Sequence, residues 1–509
     1  MASTDISLEH ASSPPPTLRR VWTAHIPPVK SQYKPLKTST ELYCALFALQ
    51  FSNMMCFIDS MAAPPMMSTL SKALNCGYLS DQLGRRYMLL TSYTSLIGIA
   101  IATGFVQRDV ELFIVRGLNG LVSGAIGTLV SAALSDYTPL GTRGKYQGLQ
   151  GITILGIEAP FAVISLVSTY LWCPATIPPP TRQELLAILK TIDYAGIVTF
   201  CAAVVSGLIV ASQAGRQWPV NDPRIIALLA LCGISSLAFL ALGLKYRRIR
   251  PVIPFRIFRN ATVSIVLLQQ FLMGAVYWAF LYFIPSYLQI AHGMNPLRAA
   301  AHMLPWLLPH GVWMTLSGLV MTWRWPLRWP ARKKQVSYGP MMWLGYACLA
   351  LACAGIACAR DVAGLVGLEV VFALGTGAVF QNSVAVLQSH TEQDETAVVL
   401  GVRSMVRGVG GSIGSAVGTV IIGAVLGEYL PERWKGLKSS AFSKPPFARM
   451  TADEARLTVG SFEHAIAWVF VACAGAMVLS FALCVFIADH GLERPDIKEK
   501  ERRMSAEHM

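Results

Sequence analysis

Apolar runs of about twenty residues, the length that crosses a lipid bilayer as a helix, recur along nearly the whole chain, with the charges held in short stretches between them. Within lipid every backbone N–H and C=O must be bonded inside the chain, so such runs fold as helices. The sequence therefore reads as an all-α polytopic membrane protein. Spans are expected at about 42–62, 86–106, 111–134, 147–171, 194–213, 224–244, 262–289, 298–321, 338–358, 362–388, 397–426 and 464–488, roughly twelve by length and periodicity.

Composition agrees with this reading. Hydrophobic residues make up 54% of 509 and charged residues 14%, too few charges to cover a soluble surface of that size. A net charge of +14 would suit nucleic acid, but the basic residues cluster in short inter-span loops, which is a topology signal instead. The loop at 245–259 carries Lys245, Arg247, Arg248, Arg250, Arg256 and Arg259, and the loop at 323–334 carries Arg324, Arg328, Arg332, Lys333 and Lys334, neither with an acid. Both are expected on the cytoplasmic side. Residues 428–463 mix both signs and fall outside by alternation. Residues 1–40 are polar, hold Pro14, Pro15 and Pro16, and have no apolar core of signal-peptide length. They are expected to form a disordered cytoplasmic tail, and 489–509 a second one. The eleven cysteines lie mostly within apolar runs, without CxxC pairs or metal spacing, so neither metal nor cofactor is expected. No GxxxxGK[ST] phosphate loop is present, and any work done against a gradient must draw on an ion gradient.

One polar stretch stands out, GYLSDQLGRRYMLL at 77–90. Gly77 permits a close helix approach, Asp81 suits the positive end of a neighbouring helix, Gly84 allows a tight reversal, and Arg85 and Arg86 fix the cytoplasmic side. This stretch resembles the signature loop of the major facilitator superfamily, which joins the second and third helices and latches the two halves. FIVRGLNGLVSG (113–124) and SDYTPLGTRGKYQG (135–148) resemble that family's fourth-helix motif and the loop after it. FIPSYLQIAHGMNPLRAAAHMLP (283–305), LGTGAVFQN (374–382) and RGVGGSIGSAVGT (407–419) are similar to the C-terminal half of its fourteen-helix drug:proton antiporter branch, fungal members above all.

The resemblance implies a major facilitator fold in which two of fourteen helices are absent, one before Gly77 and one after about Trp172. A forward count from a cytoplasmic N-terminus would otherwise put Arg85, Arg86, Arg143 and Lys145 outside, against their charge. The implied organisation is an incomplete N-terminal bundle at 41–191, two linker helices and a basic loop at 192–259, and a C-terminal bundle at 260–488. The implied activity is not enzymatic. It is proton-coupled efflux of a small organic molecule, drug-like or a secondary metabolite, by a monomer in the cell membrane, with the vacuolar membrane as the other location. The rival readings are an uptake permease of the same fold, for siderophores or sugars, and a truncated membrane protein that transports nothing. The expected partners are the bilayer, the cargo and protons, and no nucleic acid.

Candidate site residues follow from where polarity sits inside apolar runs. Asp59 matches the acid of the branch's first-helix motif, although MAAPPMM follows it, and an ionisable group within a span is a functional candidate by default. Arg116 in the fourth-helix motif needs a buried partner and is tied to proton coupling in the family. Glu158 stands where the family has a glycine-proline pair, and only Ala159 and Pro160 resemble it here. These three are the proton-coupling candidates. Glu369 is expected to take a polar packing or helix-end position. Gly77, Asp81, Gly84, Arg85, Arg86 and Asp136 form the expected gate, with Arg85 able to pair with an acid such as Asp136. Gln269, Gln270, Tyr277, Trp278, Tyr282, Gln381 and Asn382 are candidates to line the cargo cavity, each with helix packing as the alternative.

Overall fold

A computed structural model describes residues 85–103, scattered positions between 105 and 183, 193–213, 218–245 apart from 220, 253, 255–322, 338–430 apart from 392, 433–434 and 450–489. Among these the regular elements are helices: α1 Arg85–Thr103, α2 Tyr194–Gln213, α3 Pro223–Lys245, α4 Ala261–Ile290, α5 Pro296–Ala301, α6 Leu304–Thr322, α7 Gly339–Cys358, α8 Val362–Ser389, α9 Gln393–Tyr429 and α10 Ala452–Leu483. Six of them are long and apolar enough to cross a membrane. The protein is a multi-pass helical membrane protein.

Helix starts follow local capping. Asn260 opens α4 by accepting from the N–H groups of Thr262 and Val263, and Asp361 opens α8 through Gly364. Two boundaries differ from expectation. The run at 298–321 is divided, because Pro305 has no N–H for the carbonyl of Ala301 and its ring would collide there; the chain closes α5 at His302 and restarts as α6. The last helix begins at Ala452, inside the connection expected at 428–463 and about three turns before 464. Thr451 and Glu454 form a reciprocal capping box there, with N···O distances of 2.9 and 3.3 Å, and Asp453 and Glu454 sit at the positive end of the helix dipole. Charge made these turns look like loop, whereas capping makes them helix.

The core lies among α4 and α6–α10. Helix α4 meets α9 at backbone distance: a methyl group at Gly274 would collide with the Arg407 carbonyl, one at Gly410 with the Phe271 carbonyl, and one at Gly414 with Ala275. Helices α7 and α8 touch in the same way at Gly345 and Gly375, and α8 meets α6 where Gly377 faces the His310 carbonyl. Small residues let helices approach when lipid removes the hydrophobic drive to associate. Polar ties add register, since Gln269 of α4 donates to the Ser480 carbonyl of α10 at 2.8 Å. A second, smaller cluster gathers Leu89, Tyr93 and Leu96 of α1 with Ile126, Leu129 and Val130.

Candidate functional site

Side chains from α4, α6, α8 and α9 converge on one aromatic group with a cation at its edge. Tyr277 of α4 sits 5.8 Å from Trp306 and 6.4 Å from His310, both of α6, and 5.2 Å from Phe380 of α8, ring centre to ring centre. Trp306 and His310 stack at 5.4 Å, and His310 meets Phe380 edge-on at 5.6 Å. One helical turn separates Trp306 from His310, which places both on one face of α6. Thr376 donates its hydroxyl hydrogen to the Ala373 carbonyl, so its oxygen accepts from His310 Nδ1 at 2.8 Å. The ring is thereby fixed with its proton on Nδ1.

Two arginines of α9 border this group, Arg403 and Arg407, four residues apart and so on one face. Arg403 is buried; its Nε donates to Ser383 Oγ at 3.1 Å and its Nη2 to the Phe380 carbonyl at 2.9 Å. Arg407, half-buried, lays its guanidinium over the Phe380 ring, 4.3 Å from Cζ to the ring centre, a favourable cation–π contact. Its Nη1 is buried without a hydrogen-bond partner, as are the Tyr277 hydroxyl and the Trp306 Nε1–H. No carboxylate among the described residues pairs with either guanidinium. Glu369, on the same helix as Phe380, lies eleven residues away, about 16 Å along the axis. It sits two turns inside α8 rather than at its end, fully buried, with both carboxyl oxygens unpartnered.

The expected cavity residues divide. Tyr277 and Trp278 belong to the aromatic group, meeting edge-on at 6.1 Å, and Tyr282 stacks on Trp278 at 5.9 Å. Gln269 is a strut between α4 and α10. Gln270, Gln381 and Asn382 are fully or almost fully buried in the helix interior. Sequence reasoning passed over Trp306, His310, Arg403 and Arg407. The signal available was the spacing, since two arginines four apart inside a run otherwise free of charge from Val398 to Gly427 must share a buried face.

In the N-terminal part, Asp59, Arg116, Glu158, Gly77, Asp81, Gly84 and Asp136 lie outside the described residues. Arg85 is the first residue of α1. Arg86 donates to the Tyr170 carbonyl at 2.9 Å and lies over its ring at 5.2 Å. A carbonyl and a ring thus take up the Arg86 charge.

A family model described as Major Facilitator Superfamily matches residues 57–415. The chain is 28% identical to the MFS-type transporter clz4 of Cochliobolus lunatus, over 82% of this chain and 77% of that one. It is 23% identical to Citrate exporter 1 of Yarrowia lipolytica, over 91% and 75%, and 24% identical to the Acurin A biosynthesis cluster MFS-type transporter of Aspergillus aculeatus, over 78% and 72%.

Proposed function

We propose a function from a fixed premise: this chain belongs to the Major Facilitator Superfamily, and it is a membrane transporter rather than an enzyme. The proposal is that it exports a small organic molecule in exchange for protons. The observation that carries it is the group around Tyr277, Trp306, His310, Phe380 and Arg407, built from four different helices. Interior sites of this kind, mostly apolar with a few converging polar groups, are where ligands bind. In transporters with repeated helical halves, the cargo site lies between helices near the bilayer midplane.

The names of the relatives support the direction. One is an exporter, and another is tied to a biosynthetic cluster. Energy then comes from a proton gradient, with Asp59, Arg116 and Glu158 as the groups proposed to couple it. The stretch from Gly77 to Arg86, with Asp136, is proposed as the cytoplasmic gate. The cell membrane is the proposed location and a monomer the proposed unit.

The test uses inside-out membrane vesicles holding the full chain, with the lumen made acidic. The probes are labelled 2-naphthoate, its neutral amide 2-naphthamide, and the cation rhodamine 6G. Export by antiport predicts that at least one probe accumulates in the lumen while the lumen loses acid, and that nigericin stops both. If no probe accumulates, or if accumulation survives collapse of the gradient, the reading fails.

A further inference from the structure

We infer that the cargo is an organic anion, a carboxylate on an aromatic or otherwise apolar body, and that Arg407, Tyr277 and Trp306 recognise it. The inference rests on the transport reading and names the class of molecule that the site would take.

Three observations carry it, and the first is charge. Arg403 and Arg407 stand one turn apart on α9, and no carboxylate among the described residues faces them. Arg403 is held by two neutral acceptors, while Nη1 of Arg407 has none. A buried guanidinium and a half-buried one, side by side, leave a site positive unless a ligand neutralises it, and an unpaired charge away from water is unfavourable.

The second observation is a surplus of donors. Three donors of the group are buried without a hydrogen-bond partner, a guanidinium N–H, an indole N–H and a phenol O–H. Donors without acceptors select a ligand rich in acceptors, and an ionised carboxylate offers about four lone-pair sites that can take two N–H groups of one arginine side by side. A cation would meet like charge and hydrogen bonds of the wrong sense. A neutral apolar molecule would leave all three donors unmet.

The third observation is the aromatic setting. The donors are set among rings that touch one another, with centres 5 to 6 Å apart, and an aromatic body entering the group would exchange those contacts for stacking and edge contacts of its own. Small carboxylates without such a body would use the cation and leave the rings idle. An aromatic carboxylate uses both.

The experiment measures equilibrium binding of tritiated 2-naphthoate and tritiated 2-naphthamide to the full chain in lipid nanodiscs. The two probes share a ring system and differ in charge. Wild type is expected to bind the acid at least tenfold more tightly than the amide. Arg407→Gln should erase that preference, whereas Arg407→Lys should keep a part of it, because the charge survives and the two-pronged geometry does not. Tyr277→Phe removes one donor while leaving the ring, and should weaken acid binding several-fold without changing amide binding. A wild type that binds the acid no better than the amide overturns the inference. So does an Arg407→Gln protein that keeps the preference or, if that protein fails to fold, an unchanged preference in Tyr277→Phe. Gradient-driven transport of the amide or of rhodamine 6G by the same wild type would leave the export reading standing while this inference fell.

Discussion

Helices α3 and α4 differ in a way that reverses the rule for water-soluble proteins. Helix α3 is the more apolar of the two, yet only 11% of its most apolar stretch is buried in the protein, against 67% for α4. Ile234, Leu237 and Leu244 of α3 are 67%, 69% and 73% exposed, whereas Gln269, Gln270 and Tyr277 of α4 are buried. In water this would be an inside-out helix pair. In lipid the hydrocarbon solvates leucine as well as a protein core does, so what needs burying is polarity, and what helices gain from each other is close packing and hydrogen bonds. Burial of polar groups in α4, α8 and α9 therefore marks the bundle interior, and the apolar face of α3 marks its lipid edge.

The largest effect should come from glycine. Gly410 of α9 has the Phe271 carbonyl where a side chain would stand, while Gly233 of α3 has nothing within 4 Å. Gly410→Val should push α9 off α4, with a loss of about 3 kcal/mol or more, the scale of severe overpacking. Gly233→Ala meets open space and removes backbone freedom, so it should be neutral or stabilise by up to about 1 kcal/mol. Thermal unfolding in detergent, followed by fluorescence size-exclusion, reads both. Equal melting of the two variants would break the contrast between interior and edge.

The next effect tests the lipid edge directly. Leu237→Asp places a charge where α3 faces outward, which in a water-soluble protein would be harmless or helpful. At the centre of a membrane span an aspartate disfavours insertion by about 2.5–3.5 kcal/mol. Yield of membrane-integrated protein should fall sharply for Leu237→Asp and stay level for Leu237→Phe. A normal yield for the aspartate variant would mean that this face of α3 is covered by another protein surface or by water.

The contrast also explains how much could be read from sequence. The spans from α2 onward were legible because a membrane span is set by length and hydropathy, which are local. The start of α10 was legible too, in Thr451 and Glu454 three residues apart, but the charge of Asp453 and Glu454 argued for loop, and capping won. The break at Pro305 had the same local cause and was lost inside an apolar average. Rings such as Tyr277 and Trp278 stood out by type. Arg407 did not, because it opens a glycine-rich motif that reads as packing, and only the fold shows that the motif's glycines press on α4 while its arginine reaches α8. The Arg86 contact with Tyr170 depends on the path of the chain between them, which no local pattern encodes.

The smallest effect concerns Glu369, the acid for which the comparison is most extreme. It is fully buried in α8 with neither oxygen bonded, and it lies about 16 Å along the helix from the aromatic group. Two roles are distinguishable. As a packing residue it is held by shape, and an amide of the same size fills the same space. As a working acid it must exchange a proton, which an amide cannot do. We expect the first, because nothing among the described residues pairs with it and the cationic residues are elsewhere on the bundle. Glu369→Gln should then melt within about 1 °C of the parent, a change of about 1 kcal/mol for a protein of this size, and should keep gradient-driven accumulation of any transported probe. Glu369→Leu sharpens the test, because replacing an unbonded buried polar group by an apolar one of similar volume is neutral or stabilising. If Glu369→Gln melts normally while accumulation is lost and downhill equilibration persists, Glu369 carries a proton. Burial of an acid in α8 would then mark working machinery rather than packing.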